Sequence, residues 1–446
     1  MTGKRTERLG GWGRYPRVDC PVSQPATQRE ARTVVQTEPA LIARGNGRSY
    51  GDSSLSADLT LDMRKVDRIR AFDPASGRLD CEAGILLGEI IDLFLPHGWF
   101  PSVTPGTKLI TVGGAIAADV HGKNHHSAGS FCDHVDSLEL AIGDGRVLTC
   151  SRDQNADLFA ATCGGMGLTG VILSARIGLR PVKSAWIRQT THHASTLRRA
   201  MDLLADSAHA TYSVAWIDCL ASGRDLGRSV VFLGEHAAKH DLEGLPMRQP
   251  LVAPVRPKKS VPLDFPEIAL NTLSVRAFNT VYYNAQRDGE ALVDYDTYFY
   301  PLDAINAWNR IYGRRGLVQY QFVLPPETSE AGLEAVLTNI AKAGGASFLA
   351  VLKLMGPSSF GHLSFPRPGY TLALDFQATD ANLALLERLD HIVIDHGGRF
   401  YLAKDARMSP GTMAAGYPDL NEFRAVRERY GLTDRFRSSQ SLRLEI

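Results

Sequence analysis

Apolar positions recur along this chain with two textures, and the change from one to the other divides it. In the first, short strands alternate with short helices. Leu86 to Leu95 carries an amphipathic helical pattern that Pro96-His97-Gly98 ends. Thr111 to Ala118 is a run of small residues, which predicts a helix packed too tightly for larger side chains. Val135 to Ile142 reads as a strand, Asp144-Gly145 as a hairpin turn, and Arg146 to Cys150 as the returning strand. Asp157 to Thr162 predicts a short helix closed by Gly164-Gly165. Gly170 to Leu179 alternates as a strand, and Pro181 marks a boundary.

From about residue 186 the pattern becomes strand-rich. Tyr212 to Ile217, Arg228 to Leu233, Val318 to Val323, Ser347 to Leu354 and Thr371 to Phe376 read as sheet strands. Two longer helices accompany them. One spans about Ser329 to Ala343. The other places Leu385, Leu389, Ile392 and His396 on one face, with Gly397-Gly398 beyond its end. Such a mixture predicts an antiparallel sheet covered by helices. Leu245 to Phe265, with five prolines and the cluster Arg256-Pro-Lys-Lys259, reads as a long loop.

At 446 residues the chain is too long for one ordinary core, so two domains are the default. Basic and acidic side chains balance, 49 against 48, which removes the electrostatic case for nucleic acid as a partner. No apolar run approaches the roughly 18–20 residues that span a bilayer, and no apolar stretch follows the basic N-terminus as a signal peptide requires. Six scattered cysteines without C-x-x-C pairs read as reduced thiols. A cytoplasmic protein, or one peripheral at a membrane face, is expected.

The densest chemical signal is Ala43-Arg-Gly-Asn-Gly-Arg-Ser-Tyr-Gly-Asp52. A Rossmann loop must open a helix, because the helix N-terminus holds the pyrophosphate. This loop instead leads into Leu59 to Met63, which reads as another strand. Between two strands, Gly45, Gly47 and Gly51 can turn backbone N–H groups into an anion nest without any helix. A plain glycine-rich hairpin is the bland alternative.

The second dense stretch is Pro105-Gly-Thr-Lys-Leu-Ile-Thr-Val-Gly-Gly-Ala-Ile-Ala-Ala-Asp-Val-His-Gly-Lys-Asn-His-His-Ser127. His121, His125 and His126 tempt a metal reading, but Gly122 and Asn124 weaken any helix there and no carboxylate signature accompanies them. No metal is assigned. The better reading pairs this stretch with the first loop, as two glycine-rich turns at the ends of an extended cofactor. A third, Cys163-Gly-Gly-Met-Gly-Leu-Thr-Gly170, adds close backbone approach.

These stretches resemble the flavin-binding oxidases of the vanillyl-alcohol oxidase superfamily, and within it the oxidases of polyprenylphosphoryl-ribose 2′-epimerisation. The most specific match is His121-Gly-Lys-Asn-His-His-Ser-Ala-Gly-Ser-Phe131. Others are Ser213 to Asp218, Val318 to Val323, Leu352 to Pro357 and Tyr401 to Arg407, in family order over nearly the whole chain. The resemblance implies an α+β, two-domain PCMH-type FAD-binding fold with two small α/β subdomains. Residues 1–185 and 399–446 would form the FAD domain. An antiparallel-sheet substrate domain covered by helices, 186–398, would be inserted between them.

The resemblance also implies roles. FAD would be held by Arg44, Gly45, Asn46, Gly47, Arg48 and Ser49, by Pro105, Gly106 and Thr107, and by Gly113, Gly114, Gly122 and Asn124. Gly165, Gly167, Gly170 and Tyr401 complete that set. In many superfamily members a first-loop histidine bonds covalently to the flavin. Arg48 occupies that slot here, and a guanidinium is not a usable nucleophile, so non-covalent FAD is expected. Lys404 matches the active-site lysine, Tyr50 a tyrosine facing the flavin, and His121 a histidine beside it and the expected general base.

Pocket candidates are Trp216, Gln319, Gln321, Lys353, Thr371, Ala373 and Asp375. The mycobacterial pattern has cysteine at the position of Ala373 and asparagine at that of Thr371, so capture of nitroaromatic inhibitors at that thiol is expected to be lost. The implied activity is oxidation of the 2′-hydroxyl of a polyprenylphosphoryl ribose, a lipid-linked pentose, within cell-envelope arabinose synthesis. An NAD(P)H-dependent short-chain reductase would be the pathway partner, and the 245–265 loop a candidate membrane contact. A soluble alditol or aldonolactone oxidase using oxygen, and a non-catalytic flavin-binding assembly partner, are the alternatives.

Overall fold

The computed structural model describes residues 4–243, 249–345 and 347–446. Three larger sheets organise them. The first has the strand order Arg5–Gly10, Arg17–Ser23, Thr60–Asp62, Ile42–Arg44. Its last two strands run parallel, with Ile42 opposite Thr60 and Arg44 opposite Asp62. A hairpin joins antiparallel strands, so the glycine-rich loop between these two is a crossing connection and not a hairpin.

The second sheet orders Ile69–Asp73, Arg78–Glu82, Val171–Pro181, Val135–Ala141 and Val147–Ser151, all antiparallel. The helices expected beside it are present as Leu87–Phe94, Val112–Ala117 and Ala156–Thr162. Thr111 starts the middle one by accepting from the Gly114 N–H. Gly98 ends the turn after the first at φ 82°, a backbone that glycine adopts without strain.

Eight antiparallel strands form the third sheet. Its order is Gly289–Asp294, Trp186–Ala194, Ser229–His236, Tyr212–Ile217, Ala350–Met355, Gly369–Gln377, Leu317–Leu324, Arg399–Phe400. Helices Leu197–Asp206, Pro326–Ala343 and Asp380–Asp395 pack on this sheet and on one another. The strand expected from Ser347 begins three residues later, at Ala350. Phe348 is drawn out of line because its ring stacks on Tyr312 and its carbonyl accepts from the Trp216 indole. Strand Trp186–Ala194 and helix Thr272–Ala285 were not expected from the pattern.

After Phe400 the chain returns to the first sheet. Leu41 N–H donates to the Arg435 carbonyl at 2.9 Å, and Ser439 N–H to the Leu55 carbonyl at 2.8 Å. Arg427, fully buried, donates to the carbonyls of Leu168, Thr433, Phe436 and Ile446. A buried guanidinium tied to four carbonyls locks this tail in place. Part of the 245–265 segment lies outside the described residues. In the remainder, Lys259–Ser260 pairs in parallel with Ile305–Asn306, and Arg256 forms an ion pair with Asp294. No helix of the described residues is long and apolar enough to cross a membrane.

Candidate active site

Sheet register brings one set of polar residues to one face. Gln319 stands opposite Asp375, and Gln321 opposite Ala373. On the other side of the same strand, Lys353 stands opposite Thr371. Directly opposed residues share a face and side chains alternate, so all six project the same way. The intervening apolar residues, among them Tyr320, Phe322, Leu372 and Leu374, turn into the core beneath the helices.

His121, from the segment after helix Val112–Ala117, closes over this face. Its Nδ1 lies 3.2 Å from Lys353 Nζ, and its Nε2 lies 3.1 Å from the Gln321 amide nitrogen. That amide also reaches Thr371 Oγ1 at 3.3 Å. An amide donating at both positions puts the single proton of a neutral imidazole on Nδ1, facing Lys353. Lys353 must then accept as a free amine. Burial, with Lys404 nearby, pushes Lys353 down to about 7. Burial and the Lys353 and His125 charges hold His121 well below the usual histidine range.

A second cluster adjoins it. Lys404 Nζ lies over the Tyr50 ring, 4.1 Å from its centroid. The Tyr50 N–H donates to the Ala403 carbonyl at 2.9 Å, which ties the first loop to the turn carrying Lys404. Gln319 donates to Asp375 Oδ1 at 2.5 Å, while Asp375 Oδ2 is buried without a partner. Burial raises Asp375 above the carboxylate range and lowers Lys404 below the lysine range, with Asp375 opposing the fall in Lys404. Arg443 fixes this region from behind, donating to both Asp52 and Asp405 at 2.8 Å.

The three glycine-rich stretches converge on helix Val112–Ala117. The Asn46 side chain donates to the Leu109 carbonyl at 2.8 Å. A Cβ at Gly45 would collide with Thr111, so only glycine permits this approach. From the third stretch, Gly164 N–H donates to Ile116 and Met166 N–H to Ala117. Gly165, Gly167 and Gly170 follow in that same turn. Gly113 packs on Ala83, and Gly122 on Asn124 and Thr104. Asn124 in turn donates to the Ser102 carbonyl.

Whether FAD fits can be tested on the first loop. Among the described residues, no protein acceptor takes the N–H groups of Gly45, Asn46, Gly47, Arg48 or Ser49. Five successive unfilled donors, with Gly47 at φ 63°, form a nest for an anion such as a pyrophosphate. The Arg48 guanidinium lies 4.1 Å over the Trp12 ring, and its Nε is buried without a partner. Gly106, exposed, faces open space next to Pro105. These residues fit an extended anionic cofactor.

Not every expected residue lies in the cleft. Arg44 turns away, held by the Gly10 carbonyl at 2.8 Å and Ser54 at 3.1 Å. Thr107 is engaged by Asp303 at 2.8 Å. Tyr401 donates to the Ala118 carbonyl and stacks on Phe365, beside His121. Trp216 stands opposite Val351, itself opposite Ala373, so it lies on the same sheet face as Gln321 and Lys353, with its ring against Tyr282.

The structure adds Lys123, His125 and Asp303. Lys123 donates to the Tyr298 carbonyl, lies 4.2 Å over the Tyr298 ring, and is pushed down to about 7 by burial. His125 Nδ1 accepts from the Gly356 N–H at 3.0 Å. Both lie inside the histidine-rich run, so their place in the sequence was a signal. Asp303 has no local signal, since its partners are almost two hundred residues away.

A cofactor cradle beside a face of buried lysines, histidine and amides defines a flavin-dependent oxidoreductase. A family model for an FAD binding domain matches residues 16–151. The chain is 36% identical over 451 residues to the decaprenylphosphoryl-beta-D-ribose oxidase of Mycolicibacterium smegmatis, covering 99% of this chain and 98% of that protein. It is 32% identical over 187 residues to L-gulonolactone oxidase of Mus musculus, covering 41% of each. With cytokinin dehydrogenase 7 of Oryza sativa subsp. japonica it shares 31% identity over 196 residues, 41% of this chain and 37% of that one. The chain belongs to the family of the mycobacterial ribose oxidase, and FAD is its cofactor.

Proposed function

We propose that this protein oxidises the 2′-hydroxyl of a polyprenylphosphoryl-β-D-ribose to the 2′-keto sugar. The observation that carries this reading is the single sheet face uniting His121, Gln321, Lys353, Gln319 and Asp375 beside Lys404 and Tyr50. Residues 1–185 with 399–446 serve as the cofactor unit, and residues 186–398 as the substrate unit. FAD is held non-covalently by the first-loop backbone, with Arg48 offsetting pyrophosphate charge. When bound, FAD supplies the hydride acceptor for a carbinol carbon.

The protein's own groups handle substrate and proton. Asp375 Oδ2, unpartnered, takes a sugar hydroxyl while Gln319 fixes its other oxygen. The reacting hydroxyl replaces the Gln321 amide at His121 Nε2. Its proton passes to that nitrogen, and the Nδ1 proton moves to the Lys353 amine. Histidine alone would be too weak a base at its depressed pKa; the relay gives it the strength of Lys353. The Lys404 ammonium provides positive charge beside the reacting carbon.

The 2′-keto product is a carbonyl awaiting hydride return, so an NAD(P)H-dependent reductase completes inversion to the arabinose form. Anaerobic mixing with a polyprenylphosphoryl ribose, compared with free polyols, tests the reading. Bleaching of the flavin by the lipid-linked sugar alone is expected. Bleaching by polyols alone would assign the site to a soluble sugar oxidase.

A further inference from the structure

Among the described residues, six of the eight large apolar side chains that are at least half exposed lie between residues 252 and 281. They are Val252, Val255, Leu263, Ile268, Leu273 and Val281, with Val255 at 99% and Ile268 at 80% exposure. A soluble surface scatters such residues singly, so this concentration marks an interaction face. On helix Thr272–Ala285, Leu273, Ala277 and Val281 follow at i, i+4 and i+8 and form an outward stripe.

Charge identifies what covers this face. Lys258, Lys259 and Arg276 are exposed and form no ion pair among the described residues. The acidic residues of the segment are already engaged, Asp264 by Arg14 at 2.6 Å and Glu267 by Arg315 at 3.2 Å. Free cations beside exposed apolar side chains match the headgroup and acyl layers of an anionic bilayer. Protein–protein interfaces are depleted in lysine, so the exposed Lys258 and Lys259 favour a bilayer over a protein partner.

The inner side of the same helix leads to the site. Tyr282 packs on Trp216 at 4.7 Å between ring centroids, and Phe278 meets Phe348 at 5.5 Å. Phe348 stacks on Tyr312, which shares an apolar cluster with Tyr50. An aromatic path therefore runs from the exposed stripe to the Lys404 cluster.

We propose that residues 252–281 dock on an anionic lipid bilayer, with helix Thr272–Ala285 in the interface and its inner face guiding a prenyl chain toward Trp216. The guiding role rests on the proposed substrate; the docking does not. Flotation of the FAD-loaded protein with vesicles of phosphatidylcholine and phosphatidylglycerol in equal parts tests it.

The wild type is expected to float with these vesicles, weakly with phosphatidylcholine alone, and less at high salt. The double variant L273E/V281E is expected to float roughly ten-fold less. K258E/K259E should lose the preference for anionic vesicles. Both variants should keep their flavin and their activity on a short-chain, water-soluble phosphoryl ribose, while L273E/V281E loses activity on vesicle-borne long-chain substrate. If no phosphoryl ribose bleaches the flavin but flotation behaves as stated, the substrate reading fails and the docking stands. Equal flotation of wild type and L273E/V281E overturns the proposal. So does a dimer in sedimentation velocity that L273E/V281E dissolves without vesicle binding, which would assign the face to a second copy.

Discussion

Lys404 lies over the ring of Tyr50, its ammonium 4.1 Å from the centroid, so the C-terminal segment and the first glycine-rich loop meet at one point. The first glycine-rich loop and the turn after the third sheet's last strand are thereby joined through two side chains more than three hundred residues apart. A cation on an aromatic face in a buried setting is held firmly in position.

Replacing Lys404 removes that charge without touching the pyrophosphate nest. Lys404→Ala is expected to retain FAD and to reduce its flavin about 10²–10³-fold more slowly. Stopped-flow absorbance under anaerobic conditions, beside a flavin-content assay, checks both halves. Unchanged reduction would remove Lys404 from the chemistry.

In the proposed relay, Lys353 sets the acid side of the pH profile. As the terminal proton acceptor it works only as the free amine, so flavin reduction should rise with pH through about 7. At higher pH the rate should fall again as Lys404, itself lowered by burial, loses its proton. Lys353→Met should slow reduction and abolish the acid limb. An acid limb persisting in that variant would exclude the relay.

Lys123 is a buried ammonium that meets the carbonyl and ring of Tyr298 and, at 6.0 Å, the ring of Phe299. Its folded pKa of about 7 lies below the ordinary 10.5, so between those values the unfolded chain binds the proton and the folded chain does not. Stability must then rise with pH across that window, and the burial penalty is complete below about 7. Lys123→Met is expected to raise the stability of the apoprotein by about 1–4 kcal/mol at neutral pH. Thermal denaturation at several pH values should show the gain shrinking toward pH 10.5. A gain that grows with pH would contradict the assignment.

Arg48 predicts a flavin that washes out. Its guanidinium is fixed on Trp12 and offers no nucleophile to the isoalloxazine ring. Acid precipitation should leave all the yellow colour in the supernatant. Colour retained in the pellet would require a covalent link elsewhere.

Local features of this fold were open to a reading of sequence. The small-residue helix after Thr111 and the end of the preceding helix at Pro96-His97-Gly98 depend on neighbours within a few residues, and both were foreseen. So was the shared face of Gln319 and Gln321, which follows from period two alone. Helix Thr272–Ala285 was missed because its valine, threonine and aromatic residues favour strands. Strand Trp186–Ala194 carries Arg188, Gln189, His192 and His193 and shows no apolar run.

Non-local features were hidden. Asp303 engages Thr107 across almost two hundred residues, and nothing near either one announces the other. The parallel pairing of Ile42–Arg44 with Thr60–Asp62 is likewise set by tertiary packing. Lys123 stood inside the most specific motif. Nothing in the motif says that its ammonium is buried without a carboxylate.

The central claim is a lipid-linked ribose oxidised at one lysine-rich face. Anaerobic mixing of the FAD-loaded protein with a polyprenylphosphoryl ribose tests it most directly. The account predicts full flavin bleaching together with formation of the 2′-keto sugar by mass spectrometry, and neither with free polyols. A flavin that stays oxidised with the phosphoryl ribose, yet bleaches with a free alditol or aldonolactone, would contradict it.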